Sequence, residues 1–180
     1  MLPPREYIAW HEAGHAVVCW CLECWFPKVS ATEGRVECPL LEQCSLREEC
    51  DIYITVALAG RLAEDRFAEG RPLPAESQDS AARDEAQARR VAGCRGTSEI
   101  DSRQADPRFG LSPENLVETL RALTRRLLLD PTIWAGVEVV AHTLLERDPL
   151  TYEDVSAILE KVGLMRGMPR ELGPWFPRNR

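Results

Sequence analysis

Two of the chain's three histidines stand four residues apart, in the sequence His-Glu-Ala-Gly-His that runs from His11 to His15. Four residues of α-helix turn the chain by about 400° and advance it by about 6 Å, so both imidazoles leave one face of a helix, one turn apart. Both can then bind one metal ion at about 2.0–2.1 Å from each ring. The spacing predicts a helix here and requires a further ligand from elsewhere in the fold.

Glu12 lies about 100° round this helix from His11, beside such a metal rather than under it. There its carboxylate can take a proton from a metal-bound water and later deliver it to the leaving amine of an amide bond. Zinc lowers the pKa of bound water to about 7 and polarises the carbonyl under attack. The pattern predicts zinc-dependent hydrolysis of an amide bond, with Glu12 as general base and acid. Two metal-free histidines on an amphipathic helix are the plainer alternative.

The motif does not supply the third ligand of a catalytic zinc, which normally has three protein ligands and one open position. Cys19 lies one turn beyond His15, but a helix drifts about 40° per four residues, so three consecutive ligands fit one ion poorly. His142, among apolar residues late in the chain, is interpreted as a core or surface histidine. The remaining candidates are carboxylates, namely Glu64, Asp79 and Asp84.

The first half of the chain is predicted to hold three helices and a hairpin. The first helix extends from about Pro3–Pro4 to Cys24, and residues 28–38 form two short strands joined by a turn. Helices follow at about 46–67 and 77–92, the latter capped by Ser77. The second of the three helices carries small residues that would let another helix approach closely: Ala57, Ala59, Gly60 and Ala63.

The second half begins with a polar stretch, 93–110, that is predicted to be a loop. Three helices with clear starts follow. Ser112 and Asp130 each precede a proline, and Thr151 with Asp154 resembles a capping box. These helices end near Leu129, Glu146 and Val162. The sequence therefore predicts a mainly α fold with a small β-hairpin after the first helix and a helical bundle at the C-terminal end.

Charge and hydropathy exclude two classes of partner. The 180 residues include 22 Lys and Arg against 29 Asp and Glu, a net charge of −7, which argues against a nucleic-acid-binding surface. The apolar runs are far shorter than the ~20 residues that span a bilayer. We therefore expect a cytoplasmic protein that binds neither nucleic acid nor membrane.

Seven cysteines, an odd number, suit reduced thiols rather than a disulfide framework. Cys21 and Cys24 have C-x-x-C spacing, but no second such pair completes a four-thiolate zinc site. Small buried side chains are the preferred interpretation. A thiol redox sensor built on the cysteines between Cys19 and Cys50 is a weaker hypothesis.

Residues 7–18, which include the two histidines, resemble the opening of the peptidase domain of FtsH-type ATP-dependent zinc metalloproteases. The resemblance continues at Lys28-Val29 and Gly34-Arg35, where that family has a short hairpin. Residues 59–64, Ala-Gly-Arg-Leu-Ala-Glu, are similar to the family's Gly-Gly-Arg-Ala-Ala-Glu helix, and 145–159 to its closing helix pair. The resemblance implies a zincin-like helical metallopeptidase domain and covers about 155 of the 180 residues.

In that family the third zinc ligand is an aspartate that precedes an Ala- and Arg-rich helix. The resemblance implies that Asp79 takes this role, with His11 and His15 as the other ligands. Asp84 stays a second candidate, because the match needs a one-residue length adjustment. Glu64 corresponds to a family glutamate near the metal that orients a ligand.

The sequence also departs from the family. It begins at the peptidase helix, and no G-x-x-x-x-G-K-[ST] phosphate-binding loop occurs in it. The hairpin region between the first two helices is shorter and contains Cys38 and Cys44. Since a strand edge beside the zinc would hold a substrate backbone by β-augmentation, the shortening bears on how substrate is held.

The prediction is a zinc-dependent endopeptidase that cleaves flexible or unfolded polypeptides. Residues 1–163 form its peptidase domain, with a zinc-binding part over about 1–94 and a helical part over about 111–163; residues 164–180 are a basic tail with Pro and Gly. A separate ATPase, or further copies of this chain, are the additional partners left open. The alternative function is a catalytically silent, zinc-stabilised interaction module.

Overall fold

Helix α1, Arg5–Cys21, is buried on every side from Ala9 to its end. The computed structural model describes residues 5–36, 47–71, 73–95 and 111–167. Within them α1 contacts helices from both halves of the chain and two strands. A helix that is apolar all round is stable only in the interior, and α1 has few polar residues outside the motif. The predicted helix is confirmed, and the two histidines lie inside the protein.

Helix α1 ends three residues before the predicted Cys24. The N–H of Cys24 donates to the carbonyl of Cys19 at 2.9 Å, and the N–H of Glu23 to that of Trp20 at 3.0 Å. Glu23 has a φ of 60°. This is the hydrogen-bond pattern of a Schellman motif, which usually places glycine at the left-handed position. With glutamate there, the sequence does not signal the helix end.

Three short strands form one antiparallel sheet, in the order β2-β1-β3. Strands β1, Lys28–Ser30, and β2, Arg35–Val36, form the predicted hairpin. Strand β3, Leu150–Thr151, pairs with β1 and was not predicted, because two residues that also cap a helix carry no strand periodicity. The predicted hairpin's end at Cys38, and Cys44, lie outside the described residues.

Helices α2, Arg47–Ala68, and α3, Ala75–Arg95, follow. A Cβ placed on Gly14 of α1 would lie 2.6 Å from the Cβ of Ala63, so α1 and α2 are in the close contact predicted from their small residues. Helix α3 begins two residues before the predicted cap Ser77 and runs through Gly93 to Arg95. The start of the predicted loop is therefore helical; 96–110 lie outside the described residues.

The last three helices begin where the sequence predicts. They are α4, Pro113–Leu129, α5, Pro131–Glu146, and α6, Tyr152–Lys161. Ser112 accepts from the N–H of Asn115 at 3.2 Å, and Thr151 and Asp154 form the reciprocal bonds of a capping box. Asp130 caps α5 through the N–H groups of Thr132 and Ile133. All three predicted caps are confirmed because each depends only on local sequence.

The described residues thus form a mainly α fold of six helices with a small antiparallel sheet, as predicted. Its core gathers side chains from α1, α2, α4, α5 and α6; the largest fully buried ones include Trp20, Ile54, Leu116, Leu144 and Leu159. None of these six helices is both long enough and apolar enough to span a membrane. Beyond residue 167, the predicted tail lies outside the described residues.

Candidate metal centre

His11 and His15 turn their Nε2 atoms toward each other, 3.0 Å apart. On the other side of each ring, Nδ1 has its own partner: that of His15 donates to the Val56 carbonyl at 2.7 Å, and that of His11 lies 3.4 Å from Oε2 of Glu64. A proton on Nδ1 leaves the Nε2 lone pair free to bind a metal. Val56 and Glu64 therefore hold both rings with their Nε2 atoms turned toward each other. Glu64, for which the resemblance implies an orienting role, thus contacts His11 at Nδ1.

The carboxylate of Asp84, on α3, completes the group. Its Oδ2 lies 2.9 Å from Nε2 of His11 and 3.4 Å from Nε2 of His15. Tetrahedral zinc with bonds of about 2.0–2.1 Å separates its ligand atoms by about 3.3–3.4 Å, close to these distances. Among the described ranges, only these three His, Cys, Asp or Glu residues meet closely enough to share an ion. The buried group could hold a metal ion.

Asp79 lies on the exposed side of α3, outside this group. Five residues of α-helix turn the chain by about 500°, so Asp79 and Asp84 point in directions about 140° apart. The structure therefore brings His11 and His15 together with the second candidate, Asp84, and not with the residue that the resemblance favoured. Asp84 replaces Asp79 as the candidate third ligand.

The burial pattern of α3 explains why Asp84, and not Asp79, faces the two histidines. The buried residues of this helix include Ala81, Ala88 and Val91, which stand three before, four after and seven after Asp84. That spacing puts all four on one face, whereas Asp79 does not share it. Ala75, Ala82 and Ala86 flank Asp79 at similar spacings, so the sequence alone does not separate the two aspartates; the burial of Ala81 and Ala88 does.

Gly60 of α2 lies directly against the two histidines. A Cβ at this position would come within 2.4 Å of Nε2 of His15 and 2.7 Å of Nε2 of His11. Real Cβ atoms do not approach so closely, so any other residue would displace the imidazoles. Glycine here preserves the space in front of the two ring nitrogens, as a metal site needs.

Glu12 is only 2% exposed, and its Oε2 has no hydrogen-bond partner in the described part of the chain. A buried carboxylate oxygen left without a partner costs stability, and native structures tolerate few of them. Glu12 lines the same cavity as the histidines and Asp84. A polar group that enters this cavity, a water or a substrate amide, would find an acceptor there. The arrangement suits a general base.

The charges of the site act strongly on one another. Burial opposes a proton on His11, but hydrogen bonds with Asp84 and Glu64 and the nearby carboxylate charges outweigh it and raise the pKa of His11 to about 10. Burial works against the Asp84 carboxylate, yet its bonds with His11 and His15 hold the pKa of Asp84 far below its usual value. Burial raises the pKa of Glu12, against the opposing effect of the two histidines. A concentration of negative charge around two imidazoles favours a cation.

The cavity in front of the site has a volume of about 130 Å³. Its walls come from strand β2 and from helices α2 and α3. Besides His11, Glu12, His15 and Asp84, the lining residues are Gly34, Val36, Tyr53, Val56, Ala57, Ser80 and Gln87.

The other candidate ligands lie elsewhere. Cys19 is buried, with its thiol 3.6 Å from the Cys24 carbonyl. Burial raises the pKa of the Cys21 thiol to about 12, which disfavours the thiolate that binds metal. His142 is exposed and meets Trp10 edge to face, with ring centroids 5.7 Å apart. Neither Cys19 nor His142 belongs to the metal group.

No protein-family model and no curated protein matches this chain.

Proposed function

We propose that the chain is a zinc-dependent endopeptidase of flexible or unfolded polypeptides, with His11, His15 and Asp84 as zinc ligands and Glu12 as general base and acid. One observation carries the proposal: Nε2 of both histidines and Oδ2 of Asp84 converge within 3.4 Å of one another, in a cavity that Glu12 also lines. The resemblance of residues 7–18 and 59–64 to FtsH-type peptidases supports the same reaction.

The donor set favours zinc. Two imidazoles, neutral once a metal displaces the proton between them and Asp84, and one carboxylate are ligands that zinc binds readily, and catalytic zinc sites use three protein ligands and leave one position open. When bound, zinc acts as a Lewis acid that acidifies water and polarises a carbonyl. Val56 and Glu64 hold the two rings in place through Nδ1, so the ligand atoms need little rearrangement.

Glu12 is the residue that transfers the proton of the attacking water to the leaving amine. Its carboxylate accepts a proton from the water that attacks the peptide carbonyl and then delivers it to the nitrogen of the leaving amine. A general base works best when its pKa lies near the working pH, and burial shifts the pKa of Glu12 upward, in that direction.

The cavity suits an extended polypeptide. Strand β2 lies at one edge of the three-stranded sheet, and its Val36 lines the cavity beside the two histidines. A peptide segment can add to such an edge by main-chain hydrogen bonds. His11, Glu12 and His15 are buried at this cavity, so an extended, flexible segment reaches them more readily than the surface of a folded protein does.

The test compares two glutamates of α1. Glu12→Gln should abolish cleavage of unfolded casein while about one zinc per chain is retained. Glu6→Gln, a change at an exposed position of the same helix, should cleave as the wild type does. Wild-type cleavage should stop with a zinc chelator and return when zinc is added.

Two results would contradict the proposal. Unchanged cleavage by Glu12→Gln would remove Glu12 from the reaction. A zinc-loaded wild type that binds casein but yields no chelator-sensitive fragments would instead support the silent interaction module.

A further inference from the structure

Helix α3 contributes two further polar side chains to the cavity wall besides Asp84. Ser80, Asp84 and Gln87 all line it, at spacings of four and three residues that put them on one helix face. Asp84 belongs to the proposed zinc site. Ser80 and Gln87 have no part in the proposed chemistry, although Gln87 stands one turn from the metal ligand. This face of α3 therefore carries polar groups in a position to meet a substrate.

The side-chain amide of Gln87 is oriented by one hydrogen bond. The Nε–H of Arg90 donates to its Oε1 at 2.9 Å. A guanidinium group only donates hydrogen bonds, so the amide must present its oxygen to Arg90. The NH2 group is then the part left to bind something else, and it has no hydrogen-bond partner in the described ranges of the chain. The NH2 group of Gln87 is thus a hydrogen-bond donor at the cavity wall that a ligand can use.

An extended peptide in this cavity needs partners on both of its edges. Main-chain N–H and C=O groups of a strand alternate between its two edges, and β2 can pair with only one of them. Groups on the other edge lose water on binding, which costs free energy unless the protein replaces those hydrogen bonds. Most of the remaining cavity wall is apolar, with Val56 and Ala57 of α2 among its members. The polar face of α3 can supply hydrogen bonds to the substrate edge that does not pair with β2.

We propose that Gln87 is a substrate-binding residue whose NH2 group donates to a main-chain carbonyl oxygen of the bound polypeptide, and that Arg90 is a positioning residue that holds the amide in the donating orientation. The inference rests on the proposed peptidase function. Helix α3 then both carries a metal ligand and binds the edge of the substrate that does not pair with β2.

The experiment measures kcat/KM with unfolded casein for Gln87→Leu, Arg90→Ala and the double variant. Gln87→Leu should lower kcat/KM about tenfold, the size of one lost hydrogen bond. Arg90→Ala should lower it about two- to threefold. The double variant should be no worse than Gln87→Leu, because Arg90 acts only through the amide. Gln78→Leu changes an exposed glutamine of α3 outside the cavity and should match the wild type.

A second readout does not depend on cleavage. In zinc-loaded Glu12→Gln protein, fluorescence anisotropy with labelled unfolded casein should show about tenfold weaker binding when Gln87→Leu is added. Zinc content should stay at the level of the parent protein. Gln87→Glu offers an acceptor in place of the donor and should weaken binding at least as much.

The inference is overturned if Gln87→Leu cleaves and binds casein as the wild type does, if it loses zinc, or if Arg90→Ala and Gln87→Leu reduce kcat/KM independently. These outcomes leave the peptidase itself in place, since the wild type still cleaves. A wild type without chelator-sensitive cleavage overturns the peptidase and this inference together.

Discussion

The two halves of the candidate metal centre are built in different ways. Helix α1 supplies His11, Glu12 and His15 from a segment buried on every side. Helix α3 supplies Asp84, whose side chain is 30% exposed, from a helix that packs through small residues such as Ala81 and Ala88. The buried core therefore holds His11, Glu12 and His15 in place. Asp84 is held by smaller contacts near the surface.

One of those contacts lies next to the ligand itself. Nη2 of Arg121, on α4, is 2.7 and 2.5 Å from the two carboxylate oxygens of Glu85. Both side chains are less than a third exposed. Glu85 follows Asp84 directly, so this pair fastens α3 to α4 beside the metal group. The core therefore places the histidines of α1, whereas Asp84 is placed by the packing of small residues of α3 on α2 and by this ion pair with α4.

The largest expected effect separates the two aspartates of α3. Asp84→Asn should lower zinc affinity more than about 100-fold, because the loss of a ligand exceeds the 10- to 100-fold cost typical of the groups behind ligands. Asp79→Asn, at an exposed position of the same helix, should leave zinc affinity unchanged. Competition with a chromophoric chelator measures both.

The reverse result for the two aspartates would move the site to the ligand set that the family resemblance implies. Equal zinc affinity in both variants would show that α3 contributes no ligand.

Two glycines test the difference in packing: Gly60 of α2, which lies against the histidines of α1, and Gly93 of α3. Gly60→Ala places a Cβ against both imidazoles and should destabilise the protein by about 1–3 kcal/mol, as overpacking does, and weaken zinc binding. Gly93→Ala, on α3, meets no atom within 4 Å and should stabilise the protein by about 0.5–1 kcal/mol through helix propensity. Urea unfolding measures both changes. Two changes of the same sign would contradict a tightly packed α1 side and a loosely packed α3 side.

The smallest expected effect on stability and zinc affinity comes from breaking the Arg121–Glu85 ion pair. Arg121→Gln should cost about 1 kcal/mol in the free energy of unfolding and lower zinc affinity several-fold. Arg89→Gln removes the more exposed i, i+4 partner of Glu85, 53% exposed, and should cost about 0.3 kcal/mol with no change in zinc affinity. Equal effects of the two variants on zinc would show that Arg121 does not position Asp84.

The residues of α1 could be predicted from the sequence, whereas the position of Asp84 on α3 could not. The motif predicted that His11 and His15 meet, because their meeting depends only on spacing within one helix. Asp84 reaches them across 69 residues of chain from His15, a juxtaposition that only the packing of α3 on α2 creates. The resemblance, which needed a one-residue adjustment in this helix, placed the ligand on its exposed side.

The fold shows a similar contrast. The starts of α4, α5 and α6 follow from Ser112, Asp130 and Thr151, since a cap is a local property. Strand β3 was missed because its pairing with β1 joins distant parts of the chain. Local chemistry was visible in the sequence, whereas contacts between distant segments mostly were not: the small residues of α2 predicted a close helix contact but not which helix would make it.

The proposed function depends above all on one metal ion held by His11, His15 and Asp84 beside Glu12. Crystals of the zinc-loaded protein, measured on both sides of the zinc absorption edge, would locate that ion. We expect one anomalous peak about 2.0–2.2 Å from Nε2 of each histidine and from a carboxylate oxygen of Asp84. A peak at the cysteines of α1, at Asp79, or no peak at the histidines would contradict the proposed metal centre.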